Sequence, residues 1–211
     1  MKSLLNKWRG EKAEASVIQP ITIVSGLPRS GTSMMMKMLA AGGIVPLTDE
    51  LRAADKDNPK GYYEFERVKQ LDKGDTEWLP LARGKAVKII SFLLQYLPPG
   101  ETYKVVFLRR NLDEILLSQR KMLVNRGEDP NKMDDDQVAA MFTRHIELVE
   151  NWLARQPNID TLYIHYNDVM SVPAIEIARI TRFLDRPLEE EAMAQVVDPN
   201  LYRNRQLATA G

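Results

Sequence analysis

Four runs of apolar residues divide this chain: Ile21-Thr22-Ile23-Val24, Ala86-Val87-Lys88-Ile89-Ile90, Tyr103-Lys104-Val105-Val106-Phe107-Leu108 and Thr161-Leu162-Tyr163-Ile164-His165. Their length and β-rich content predict strands, and each leads into a segment that reads as a helix. The clearest helices span 34–41, closed by Gly42-Gly43, about 111–123, with Asn111 and Asp113 at its acidic start, and 172–185, with Pro173 in its first turn. A longer helix over about 134–155 repeats Val138, Met141, Ile146, Val149 and Trp152 at roughly helical spacing. Near-continuous apolar strands that alternate with helices imply a mostly parallel sheet covered on both faces.

Composition narrows the class. At 211 residues, 44% hydrophobic and 27% charged, the chain fits one domain over 1–211 that buries a sizeable core. Residues 1–19 are mixed and polar and read as a loose N-terminal arm, and 44–80 is a long polar connection of the kind that forms a lid or binding loop. Twenty-nine basic and 29 acidic side chains give no net field for a nucleic-acid backbone, so nucleic acid is not an expected partner. The absence of cysteine excludes a disulfide framework and a thiolate nucleophile, and two histidines leave little for a histidine-built metal site. No apolar run is long enough to span a bilayer and the first residues are charged where a signal peptide is apolar, so a cytoplasmic protein without a membrane partner is expected. Asp134-Asp135-Asp136 invites a metal reading, but acidic residues at a helix start are favoured by the macrodipole alone. Met34, Met35, Met36 and Met38 read as core filler, and His145 and His165 as packed or solvent-facing. No self-pairing motif indicates an oligomeric state.

The sharpest local feature is Ser25-Gly26-Leu27-Pro28-Arg29-Ser30-Gly31-Thr32-Ser33, between the first strand and its helix. Backbone N–H groups of such a loop and of the helix's first turn converge on an anion, with hydroxyls from Thr32 and Ser33 and a charge from Arg29. Gly26 and Gly31 match the glycines of the G-x-x-x-x-G-K-[ST] phosphate loop, but Thr32 stands at the lysine position. The usual charge for ATP chemistry is therefore missing.

Leu27-Pro28-Arg29-Ser30-Gly31-Thr32-Ser33 after a strand resembles the 5′-phosphosulfate loop of sulfotransferases that use 3′-phosphoadenosine 5′-phosphosulfate (PAPS). The strand ending in Arg109-Arg110, followed by Ser118, resembles that family's 3′-phosphate segment, with Arg110 and Ser118 in its two places. An arginine at a strand end and a hydroxyl two turns along the next helix can grip one phosphate from two sides. Lys88 takes the place of the family's strand lysine, and Ile90 the place where cytosolic members carry a basic histidine. Leu162 to Val169, with Phe183-Leu184, resembles the family's late strand and helix, in a structural role.

The resemblance therefore implies a three-layer α/β sandwich, P-loop NTPase-like, with four to five central strands, and sulfuryl transfer from PAPS to a hydroxyl or amine. A nucleotide donor and a small-molecule or sugar acceptor are the implied partners, with no metal. Residues 28–33 would hold the phosphosulfate, Arg29 and Lys88 would neutralise charge, and residues 44–80 would lie on the acceptor side. The base must be a carboxylate, as in Golgi-type members, and the candidates are Glu50 first, with Arg52 as a possible partner, then Glu64 and Asp49. Arg203 and Arg205 stand in for a missing C-terminal phosphate-binding segment, or belong to a frayed basic tail. A P-loop kinase-like phosphotransferase using ATP and a non-catalytic nucleotide-binding relative are the alternatives.

Overall fold

The structure, a computed structural model, describes residues 18–49, 63–130 and 134–198. Among them are four strands, β1 (Ile21–Gly26), β2 (Ala86–Lys88), β3 (Tyr103–Arg109) and β4 (Ile159–His165), which form one parallel sheet in the order β2-β1-β3-β4. Side chains alternate across it with the period of two that a strand dictates. Ile21, Ile23, Val87, Tyr103, Val105, Phe107 and Ile159 share one core. Val24, Ala86, Val106, Leu108 and Ile164 share the core on the other face. Coverage of both faces is why the strands read as apolar runs rather than alternating ones.

The helices are α1 (Thr32–Ala41), α2 (Leu79–Ala82), α3 (Leu112–Asn125), α4 (Asp135–Leu153), α5 (Tyr166–Ser171), α6 (Pro173–Leu184) and α7 (Glu190–Val196). Met35, Met36, Met38 and Leu39 of α1 pack with α6 and α7 residues against one face. Trp78, Leu79 and Leu153, with Ile146, Val149 and Trp152 of α4, close the other. The structure is thus α/β with three layers and four strands, at the lower end of the expected range. The second strand is shorter than its apolar run: pairing stops at Lys88, and Ser91–Tyr96 turns into a 3₁₀ helix. A second 3₁₀ helix, Glu66–Lys73, lies within the long connection.

Two aspartates of the acidic triplet act locally. Asp134 caps α4 by accepting from the Asp136 N–H, and Asp135 pairs with Arg120. Because β1 is central, the chain leaves it toward β2 on one side and later returns to β3 on the other. The crevice outside the C-terminal ends of β1 and β3 is therefore the switch point at which open α/β sheets bind ligands.

Candidate active site

The loop after β1 opens onto that switch point, and close packing fixes its shape. Gly26 has φ 146°, and a Cβ there would lie 2.6 Å from both the Leu108 carbonyl oxygen and Ser30 Oγ. Arg29 is left-handed at φ 70°, a conformation that costs a non-glycine residue free energy and that clusters at binding loops. Gly31, at φ 102°, is the N-cap of α1 and has no side chain to cap the helix. Gly31 thus places no side chain over the start of α1, and no acidic residue occupies the first turn, which suits an anion. Ser30 is wholly buried, and its Oγ has no hydrogen-bond partner among the described residues, nor does that of buried Ser25 at the end of β1. An orphaned buried hydroxyl is costly, and a polar ligand in the loop supplies the missing partner. Pro28 is exposed, and Thr32 and Ser33 are half-buried on the loop's helical side.

Three residues separated in sequence meet beside this loop. Arg29 Nε donates to Ser118 Oγ at 2.9 Å, and Arg110 Nη1 donates to the Arg29 carbonyl oxygen at 3.1 Å. Arg110 is held in turn by Glu114, whose Oε2 accepts from Nε at 2.9 Å. Both side chains are nearly excluded from solvent, at 8% and 3% exposure. The Tyr166 ring lies under the Arg110 guanidinium at 4.2 Å, and Asn167 Nδ2 donates to Glu114 Oε1 at 3.1 Å. Burial pushes the Tyr166 phenol above its ordinary range, so the ring is a neutral platform. Among the described residues this corner brings two guanidinium groups against one carboxylate, a set that suits a phosphate. Tyr166 also bounds the loop, because a Cβ on Gly31 would lie 2.5 Å from its Cδ2.

A second group of candidates stands at the end of β2. Lys88 Nζ lies 3.5 Å from Glu64 Oε1, with side-chain exposures of 10% and 19%. Lys69 approaches the other carboxylate oxygen at 3.8 Å. Tyr63, just before Glu64, is left-handed at φ 51°. Asp49 performs backbone work: its Oδ2 accepts from the Glu66 N–H at 2.6 Å at the start of the 3₁₀ helix, and its own N–H donates to the Glu64 carbonyl at 3.3 Å. Among the described acids, Glu64 pairs with the lysine. Glu50, with Arg52, lies outside the described residues, as do Arg203 and Arg205.

Glu114, Tyr166 and Asn167 are not singled out in the sequence reading. Arg110 and Glu114 do carry a signal, opposite charges four residues apart, although Arg110 lies just before the N-cap of α3 rather than on the helix. The roles of Tyr166 and Asn167 depend on tertiary placement and leave no local trace. Arg109, one residue from Arg110, points to the other face, where both its Nε and Nη2 bond Glu150 of α4 at 2.8 and 2.6 Å above the Tyr163 ring.

Solved structures share this fold. The sulfotransferase domain from the curacin biosynthetic pathway is similar at 16% identity over 86% of this chain and 78% of its own, with a TM-score of 0.52. Sulfotransferase STF1 from Mycobacterium tuberculosis H37Rv matches at 18% identity over 83% of this chain and 71% of its own, also with a TM-score of 0.52. The sulfotransferase domain of the Synechococcus PCC 7002 olefin synthase matches at 16% identity, 93% and 86% coverage and a TM-score of 0.51. Likenesses at this identity speak for the fold. The sulfotransferase domain family model matches residues 19–205, nearly the whole described sheet-and-helix unit and the loop, Arg110 and Ser118 with it, so the chain belongs to the sulfotransferase family.

Proposed function

We propose that the protein transfers the sulfuryl group of PAPS to a hydroxyl or amine acceptor by in-line displacement. The observation that carries this reading is the meeting of Arg29, Arg110 and Ser118 beside an uncapped helix start at the switch point. Residues 28–33 hold the 5′-phosphosulfate, and the buried Ser30 hydroxyl gains its missing partner. Arg110 and Ser118 hold the 3′-phosphate, and Ser118 then gives up its bond to Arg29. The freed guanidinium turns to the phosphosulfate, where negative charge grows as the bond breaks.

At the sulfuryl group the acceptor oxygen or nitrogen attacks sulfur while the bond from sulfur to the bridging phosphate oxygen breaks. The acceptor's proton passes to a carboxylate. Glu64 fills this role beside Lys88, with Glu50 as its rival, and the Lys88 ammonium stabilises the departing oxygen. Products are the sulfated acceptor and adenosine 3′,5′-bisphosphate. A small molecule or sugar is the acceptor this reading favours.

Calorimetric titration with adenosine 3′,5′-bisphosphate, against 5′-AMP and ATP with magnesium, tests the donor site. Selective binding of the bisphosphate, weakened by Arg110→Ala, is expected. Preference for ATP would replace this reading with phosphoryl transfer. Hydrolytic release of labelled sulfate from PAPS, with water standing in for the acceptor, compared between wild type, Glu64→Gln and Glu50→Gln, tests turnover and the base. Bisphosphate binding without any sulfate release or transfer would leave a nucleotide-binding relative without activity.

A further inference from the structure

Outside the groups used above, one polar pair joins two elements at the mouth of the sheet. Ser91, three residues beyond Lys88, is 1% exposed, and its Oγ shares a hydrogen bond with His145 Nε2 of α4 at 2.9 Å. The imidazole lies flat on the Phe92 ring, with centroids 3.7 Å apart and planes 8° from parallel. A ring clamped between a buried hydroxyl and an aromatic face has a fixed orientation. The stretch between Lys88 and Ser91 is secured at its other end too, because the Ile89 N–H donates to the Val24 carbonyl at 3.0 Å.

Helix α4 is anchored twice more near the same edge. Glu150 holds Arg109 at the end of β3, and Val138 and Phe142 pack in a cluster with Leu27 of the anion loop, against which Phe92 and Ile146 also lie. Without the His145 contact, the buried Ser91 hydroxyl loses its partner and the chain after Lys88 keeps only apolar contacts with α4.

We infer that His145, acting through Ser91, is a positioning residue that fixes the end of β2 and thereby holds the Lys88 ammonium against Glu64. This rests on the reading of Lys88 as the group facing the sulfuryl, and it adds a histidine that has no contact with the reacting atoms. In adenosine 3′,5′-bisphosphate the departing oxygen is already a phosphate oxygen held by residues 28–33, so in this account its binding depends on Lys88 far less than turnover does.

The test compares wild type, Ser91→Ala, His145→Ala and His145→Gln, since a glutamine amide can replace Nε2 in the bond to Ser91. Bisphosphate affinity is expected within about twofold of wild type in all four, while sulfate release from PAPS drops about tenfold in His145→Ala and recovers at least severalfold in His145→Gln. A second readout does not require turnover. Amine labelling followed by mass spectrometry should show Lys88 reacting severalfold faster in His145→Ala, with Lys104, which is held by the Phe183 carbonyl, unchanged. Equal acceleration at both lysines would mean general loosening and would overturn the inference, as would unchanged Lys88 labelling. Failure of wild type to bind the bisphosphate would overturn the donor reading instead, and the lysine labelling would still decide the positioning role.

Discussion

Arg29 Nε and Ser118 Oγ meet at 2.9 Å although 89 positions separate them in the chain. The contact couples the anion loop to the second turn of α3 and keeps the guanidinium folded over the hydroxyl. Ser118→Ala removes a bond to a charged group and should cost about 1 to 2 kcal/mol of stability by urea titration. The same change should weaken adenosine 3′,5′-bisphosphate binding roughly tenfold, because a phosphate would lose that hydroxyl. Arg29→Ala should leave bisphosphate affinity less affected than sulfate release from PAPS, since its charge is assigned to the phosphosulfate.

Glu114 is the counter-ion that makes a buried Arg110 tolerable. Glu114→Gln keeps the shape but leaves a nearly buried guanidinium without its carboxylate, and unfolding measurements should show a loss of roughly 3 kcal/mol. Added bisphosphate supplies new negative charge to Arg110. The variant's melting temperature should therefore rise more on ligand addition than wild type's, and an equal rise would contradict the role given to Arg110.

Gly31 has no room for a side chain. Gly31→Ala places a methyl 2.5 Å from Tyr166 Cδ2 and forces alanine to φ 102°, so a loss of about 2 kcal/mol is expected with weakened anion binding. Adding Tyr166→Ala removes the collision but not the backbone strain, so stability should not be restored.

Buried phenols, Tyr63 among them, give the alkaline limit a sign. Burial raises the pKa of Tyr103, Tyr163 and Tyr166 above the ordinary tyrosine value. In the unfolded chain these groups lose their protons near pH 10, before they do in the folded protein. The unfolded state then holds fewer protons, so stability is full below that pH and falls as pH rises through the folded values. Chemical denaturation at pH 8 and 10.5 should show the loss, and Tyr103→Phe should lessen it. Identical stability at the two values would remove burial as the cause.

Much of the frame could be read from the residues, and the reason is burial. Both faces of the sheet are covered, so Tyr103–Arg109 and Ile21–Gly26 show themselves as apolar runs. The short elements could not be read this way. Glu66–Lys73, Leu79–Ala82 and Ser91–Tyr96 span too few turns for periodicity to emerge and are held by tertiary contacts. Ile89-Ile90 looked like strand because two adjacent β-branched residues favour one, yet pairing with β1 ends at Lys88. At the site, Gly26, Arg29 and Gly31 announced a loop through composition and spacing. Local pattern could not show that Glu114 would be buried against Arg110 or that His145 would meet Ser91, because each depends on where a distant element docks.

The order β2-β1-β3-β4 also governs how the molecule must assemble. Each pairing in the sheet joins strands far apart in sequence, such as Ile21 with Tyr103 and Thr22 with Ala86, and among the described residues no hairpin exists to nucleate it. Loop closure must come before any sheet contact can form, which makes folding slow. During synthesis β1, whose six residues are all buried in the finished sheet, has no sheet neighbour until Lys88 has emerged and lacks the one on its other edge until Arg109 follows. That interval exposes an apolar strand with an open edge, so yield in the cell should depend on how quickly β3 arrives or on chaperones that shield β1 until then.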